Sequence, residues 1–176
     1  MQTSVERAKD LVHAGDFAAA AALLREHLGR HPDDAQAWHR LAGALIGASD
    51  FGPAAEAAER SLALDDTSAA AYRMLALARN FGKDPEAAYE AAMRAIALNA
   101  ADVEALTVAA DAARLTGRKR EARALLDRAI ERDPAHPAVR TLSRALPPRL
   151  TGRNIVGLVS LVFMIAVVVA CGASMI

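Results

Sequence analysis

Aromatic residues are scarce, at 4% of a 176-residue chain, and Cys171 is its only cysteine. A core of large rings is thereby excluded, and so is any internal disulfide. No acidic residue follows Asp133, although the chain holds 21 of them. A glycine-rich phosphate loop is missing too, since Gly43 and Gly47 stand isolated in a helical pattern. The N-terminal Met1-Gln2-Thr3-Ser4-Val5-Glu6 lacks a basic stretch leading into an apolar run, so no secretory signal is expected there. No set of side chains resembles a catalytic constellation. The expectation is a protein that is not an enzyme and needs no cofactor.

Hydrophobic residues make up 53%, and alanine supplies much of that share. Alanine loses no side-chain entropy in a helix, so the composition favours helix and suits thin helices stacked closely. The formal net charge is zero, but only Arg140, Arg144, Arg149 and Arg153 of the 21 basic residues follow Asp133. The body before them is therefore mildly acidic, which argues against nucleic acid as a partner.

A spacing of 34 residues organises the chain. Ala20, Ala54, Ala88 and Ala122 are separated by it, and Gly15 and Gly117, like Pro32 and Pro134, by three such steps. A small residue in a fixed place means that one helix backbone approaches another closely there. The window 35–68 is the clearest copy: Trp38, Leu41, Ala42 and Leu45 precede the turn formers Ala48-Ser49-Asp50-Phe51-Gly52-Pro53, and Ala54 and Ala58 follow. This period, with Trp-x-x-Leu-Ala early, alanine at the twentieth place and proline near the end, resembles the tetratricopeptide repeat. The resemblance covers residues 1–136 and implies an all-α, right-handed solenoid of four helix-turn-helix repeats (1–34, 35–68, 69–102, 103–136).

Copy one carries Ser4 and Arg7 where the family buries large apolar groups, as befits a first repeat with one face uncovered. Copy three moves its glycine one place forward, to Gly82, and puts Arg79 where a large apolar residue belongs. Its first helix is therefore expected either to end early or to slip in register over 79–83. Residues 137–146, with Val139 and Leu142, read as a short capping helix, and Pro147-Pro148 opens a linker over 147–153.

Residues 154–176 carry no charged side chain. Helical, they would span roughly 34 Å at ~1.5 Å each, enough for a hydrocarbon core of ~30 Å. The expectation is a single transmembrane tail anchor, flanked by Arg149 and Arg153 on its cytoplasmic side. Ala166, Ala170 and Ser174 line one stripe of that helix, which either packs on another membrane helix or faces lipid. Cys171 reads as a packing residue within the run rather than as a nucleophile. Alanine- and arginine-rich usage points to a bacterial source, hence an inner membrane with the repeats in the cytoplasm.

Two further clusters stand out. His27 and His31 share a helix face but lack a third ligand, so no metal is expected. Arg118-Lys119-Arg120-Glu121-Ala122-Arg123 is a basic cluster that opens a helix against its own dipole, and is either a solvated face or a contact for anionic headgroups or an acidic partner. The resemblance further implies a concave groove lined by first helices. Its members here would include Lys9, His13, His39, Ile46, Arg73, Leu77, Asn80, Phe81, Asp111 and Arg114. Val5 and Lys9 do not match the lysine–asparagine set with which some relatives clamp a terminal carboxylate. The expected function is a membrane-anchored scaffold presenting this groove to a peptide or protein. The alternative is an assembly subunit of a membrane complex, recruited through the membrane helix.

Overall fold

The computed structural model describes residues 3–146. Over that range there are nine helices and no strand. They are α1 (Ser4–His13), α2 (Phe17–Arg30), α3 (Ala35–Gly47), α4 (Phe51–Leu64), α5 (Ala69–Phe81), α6 (Pro85–Leu98), α7 (Val103–Leu115), α8 (Lys119–Arg132) and α9 (Pro137–Ala145). Hydrogen-bond chemistry at the helix starts explains the punctuation. Asp34, Ser68 and Asp102 cap α3, α5 and α7, each accepting a backbone amide three residues on. Asp16 and Asp84 cap α2 and α6 in the same way. Thr3 and Glu6 form a reciprocal capping box on α1.

Within each copy the two helices pack on one another, and each second helix packs on the next first helix. Neighbouring first helices also meet: α1 on α3, α3 on α5, α5 on α7. Second helices do not meet each other, so the layer of first helices is the inner, tighter side of the stack. Two columns of alanine allow this nesting. Ala20, Ala54, Ala88 and Ala122 are all fully buried, and so are Ala42, Ala76 and Ala110, with Ala8 at 1% exposure heading that second column. Between them sit larger groups: Leu24, Leu41, Leu45, Leu106 and Leu126 are buried. Arg7, by contrast, is exposed and Ser4 half-buried on the open first face. At the other end Val139 and Leu142 of α9 are buried.

The first helix of copy three, expected either to end early or to slip in register, does neither. Helix α5 is 13 residues long, as are α3 and α7, and Arg79 lies within it. Its guanidinium reaches Glu59 on α4 and Asp84 at the head of α6, so the charge sits at the surface without disturbing the helix. The forward-shifted glycine has an equally plain account. Gly15, Ser49, Lys83 and Gly117 stand one repeat apart, and all four take positive φ (80°, 62°, 66° and 79°). That place is set by helix length, and Gly82 precedes it at φ −71°. Serine and lysine hold a left-handed conformation there that glycine adopts freely. Ser49→Gly and Lys83→Gly are each expected to stabilise the fold by about 0.5–1 kcal/mol, read as a higher thermal midpoint.

Gly47 answers to packing instead. A Cβ on it would lie 2.4 Å from Cδ1 of Phe17, so the glycine forms the seat on which that ring rests.

The expected membrane span at 154–176, with Arg149, Arg153, Ala166, Ala170, Cys171 and Ser174, lies outside the described residues, as does the linker at 147–153. Among the described residues no helix is long and apolar enough to cross a membrane.

Candidate functional site

The inner layer gathers a chain of polar side chains from successive copies. Arg73 on α5 donates to the Asp102 carboxylate at 2.9 Å, across to the start of α7. Asp102 uses its other oxygen to cap α7, accepting from the Ala105 amide at 3.0 Å. Glu104 lies 3.3 Å from Arg73 Nε but out of line for a hydrogen bond. One step further along, Asn80 Nδ2 donates to Asp111 at 3.2 Å, and Arg114 clasps the same carboxylate from one turn on, at 2.6 and 2.8 Å. Copies three and four are thus laced together, with Arg73 matched by Asp102 and Glu104, and Arg114 by Asp111.

Copy two contributes His39, whose imidazole is held below its ordinary 6.5 by burial first, and then by the nearby Arg73 and Arg40 cations. Its neutral form is the one the fold accommodates. The folded state therefore binds fewer protons there than the unfolded chain does. This contribution to stability is fully present above the ordinary histidine value and fades as pH falls below it. His39→Gln is expected to flatten the decline of the thermal midpoint between about pH 7 and pH 5.5; an unchanged slope would show that His39 does not carry it.

Three buried polar atoms of this face have no hydrogen-bond partner: His39 Nδ1, Arg73 Nε and Asn80 Oδ1. Gly43 lies between His39 and Ile46 on α3, and a Cβ there would meet only Met74 Sδ, at 3.9 Å. The surface beside the unpaired atoms is accordingly uncrowded at Gly43.

The other residues expected in the groove fall at several depths. Ile46 and Leu77 are half-buried, Lys9 and His13 exposed. Phe81 is 51% exposed at the end of α5, its ring stacked on Phe51 with centroids 5.4 Å apart, which puts it at the rim formed by the turns. Of the ten, the structure links Asn80, Asp111 and Arg114 directly and sets His39 beside Arg73. Asp102, absent from the sequence-based set, proves central. Its signal was its place one repeat after the Ser68 cap and two after Asp34.

A recess of about 790 Å³ also lies in the outer layer, between α2 and α4, floored by Trp38, Leu41 and Leu45 and flanked by Arg25 and Arg60. Glu56 and Glu59 line it as well. The histidine pair is engaged locally: His27 Nε2 lies 3.0 Å from Asp34 Oδ2, and its ring centroid is 4.8 Å from that of His31. Burial works against the Asp34 carboxyl, but the Ala37 amide and His27 hold it below the usual range. Among the described residues no group of histidine, cysteine and carboxylate side chains could hold a metal.

Family models described as tetratricopeptide repeat match residues 2–44 and 103–136. No curated relative matches the sequence. Several solved structures share the fold. The crystal structure of the MamA protein is similar at 23% identity with a TM-score of 0.68, over 81% of each chain. YrrB, described as a tetratricopeptide-repeat protein with an unusual peptide-binding site, is similar at 20% identity with a TM-score of 0.66, over 77% of this chain and 70% of its own. The first repeat domain of Spaghetti (RPAP3), solved with the HSP90 peptide SRMEEVD, is similar at 17% identity with a TM-score of 0.60, over 64% of this chain and 89% of its own. The chain described here contains tetratricopeptide repeats, set in an all-α helical-repeat fold.

Proposed function

We propose that the chain is a scaffold that holds a peptide or protein partner on the face of α1, α3, α5 and α7, and that residues 154–176 keep it at a membrane. The observation carrying the first half is the pair His39 Nδ1 and Asn80 Oδ1, buried without a hydrogen-bond partner beside Arg73, whose Nε has the Glu104 carboxylate at 3.3 Å but no aligned hydrogen bond. A buried polar atom without a partner costs about 1–3 kcal/mol, and a bound chain supplying donors and acceptors would recover it. The peptide sites named for YrrB and for the RPAP3 domain, on the same fold, support this reading. The second half rests on sequence alone: an uncharged run of membrane-spanning length preceded by Arg149 and Arg153. Together they describe an adaptor with its repeats in the cytoplasm, at an inner membrane if the source is bacterial.

A photo-crosslinking residue at Leu77, compared with one at Arg25 on the outer layer, tests the face. The expected result is an adduct from position 77 that disappears when His39→Ala and Asn80→Ala are combined. Adducts from position 25 alone would move the partner to the other side and defeat the reading. Retention in the membrane pellet after alkaline carbonate extraction is expected of the anchor, and release into the supernatant contradicts it. Replacing 154–176 by an unrelated apolar helix should leave the adduct at 77 intact; its loss would favour recruitment through the membrane helix.

A further inference from the structure

Packing explains Gly47 but not Gly43. Both belong to α3, where glycine is a poorer helix former than alanine. At Gly47 the Phe17 ring fills the place that a Cβ would take. At Gly43 a Cβ would meet only Met74 Sδ, at an ordinary contact distance of 3.9 Å. A helical side chain leans over the turn before its own Cα, so the space left at Gly43 lies over His39 and Arg40. The result is a notch among the first helices, edged by an imidazole, a guanidinium and a thioether.

Neither polar edge is satisfied. His39 Nδ1 and Arg40 Nε are buried without a hydrogen-bond partner, and Arg40 forms no ion pair among the described residues. Arg73, by contrast, is matched by Asp102 and Glu104. On α1, Glu6 closes the capping box and Asp10 is engaged, while Arg7, Lys9 and His13 are exposed. On α2 and α4, Glu26 is paired with Arg30, and Glu56 and Glu59 line the outer recess with Arg25 and Arg60. His27 holds Asp34, the cap of α3 itself. Burial first, and then the cations Arg73 and Arg40, favour the neutral His39 imidazole, and no carboxylate among the described residues counters them there.

We propose that the notch over Gly43 seats a side-chain carboxylate of the bound partner segment, held by Arg40 and by His39, which takes a proton from solvent as the carboxylate arrives. The proposal rests on the peptide-binding reading above and gives that partner an acidic residue. Charge complementarity selects it, since Arg40 lacks a counter-ion and His39 Nδ1 lacks a partner. A negative charge beside the imidazole favours its protonated form, so the bound state holds a proton that the free state lacks. Binding therefore tightens as pH falls from about 7.5 toward about 5.5, where a glutamate side chain is still ionised.

The full chain, immobilised in dodecyl maltoside micelles, is offered short peptide mixtures with amidated C-termini. The mixtures are uncharged except at one central position, which holds glutamate, glutamine or phosphoserine. The glutamate mixture is expected to be retained several-fold more than the glutamine mixture near neutral pH, with a wider margin at about pH 5.5. Arg40→Gln should remove the margin, and His39→Gln should remove its widening at the lower pH. Gly43→Ala should raise the thermal midpoint yet shrink the margin, a pairing that damage to the fold would not produce. Equal retention of glutamate and glutamine overturns the proposal and leaves the peptide-binding face standing. So does a margin that ignores pH or survives Arg40→Gln, or a preference for phosphoserine over glutamate. If no mixture is retained above the level of the chain unfolded in urea, the peptide-binding reading itself falls and takes this proposal with it.

Discussion

Leu106→Ala is expected to lower the unfolding free energy by about 2–5 kcal/mol, the range for a fully buried leucine whose cavity cannot collapse. Leu106 is 0% exposed on α7, and its helix packs on α5, α6 and α8 at once. It occupies the place that holds Trp38 and Tyr72 in copies two and three, both only half-buried. With the smaller side chain comes deeper burial, so truncation leaves a void that three helices enclose. Because repeat stacks are stabilised copy by copy, the loss should show first as faster amide exchange in α7 and α8. Leu115→Ala nine residues on, at a site 50% exposed, is the control, expected to cost less than about 1 kcal/mol. Urea midpoints of the two variants provide the measurement; similar midpoints would mean that α7 is not packed as described.

Asp102→Ala is the second large effect. One carboxylate does two jobs at the junction of copies three and four, capping α7 through Ala105 and receiving Arg73. The lost cap is worth about 1 kcal/mol and the charge-assisted bond about 1.5–3, so a loss of roughly 2–4 kcal/mol is expected after allowing for the solvent that still reaches Arg73. Asp102→Asn separates the roles, since an amide oxygen still caps while the charge is gone. It should recover the capping share alone. If alanine and asparagine are equally mild, Arg73 finds its partner elsewhere, with Glu104 the nearest candidate.

These two sites show where a sequence can be read and where it cannot. The column Ala20, Ala54, Ala88, Ala122 was legible because close helix approach demands a small side chain at one fixed place, and all four are indeed fully buried. The turn of copy three is hard to read because its glycine, Gly82, does not stand at the left-handed position. Helix length marks it, and Ser49 and Lys83 occupy it with strain. Arg79 reads as out of place in the sequence only because its partners, Glu59 and Asp84, come from other helices. The Arg73–Asp102 link joins residues from successive first helices, so it follows from stacking rather than from local pattern. The Arg118 stack on Tyr89 is hidden for the same reason. Unpaired atoms such as Asn80 Oδ1 belong wholly to three-dimensional geometry.

The most direct test of the packing on which the binding face depends compares leucine placed in the alanine column with leucine placed outside it. Ala54→Leu and Ala88→Leu push on helices in van der Waals contact and are predicted to lose about 1–3 kcal/mol each in urea unfolding. Ala22→Leu and Ala124→Leu, at exposed sites of α2 and α8, are predicted to stay within about 0.5 kcal/mol of the parent. Equal tolerance of leucine at all four positions would contradict the account.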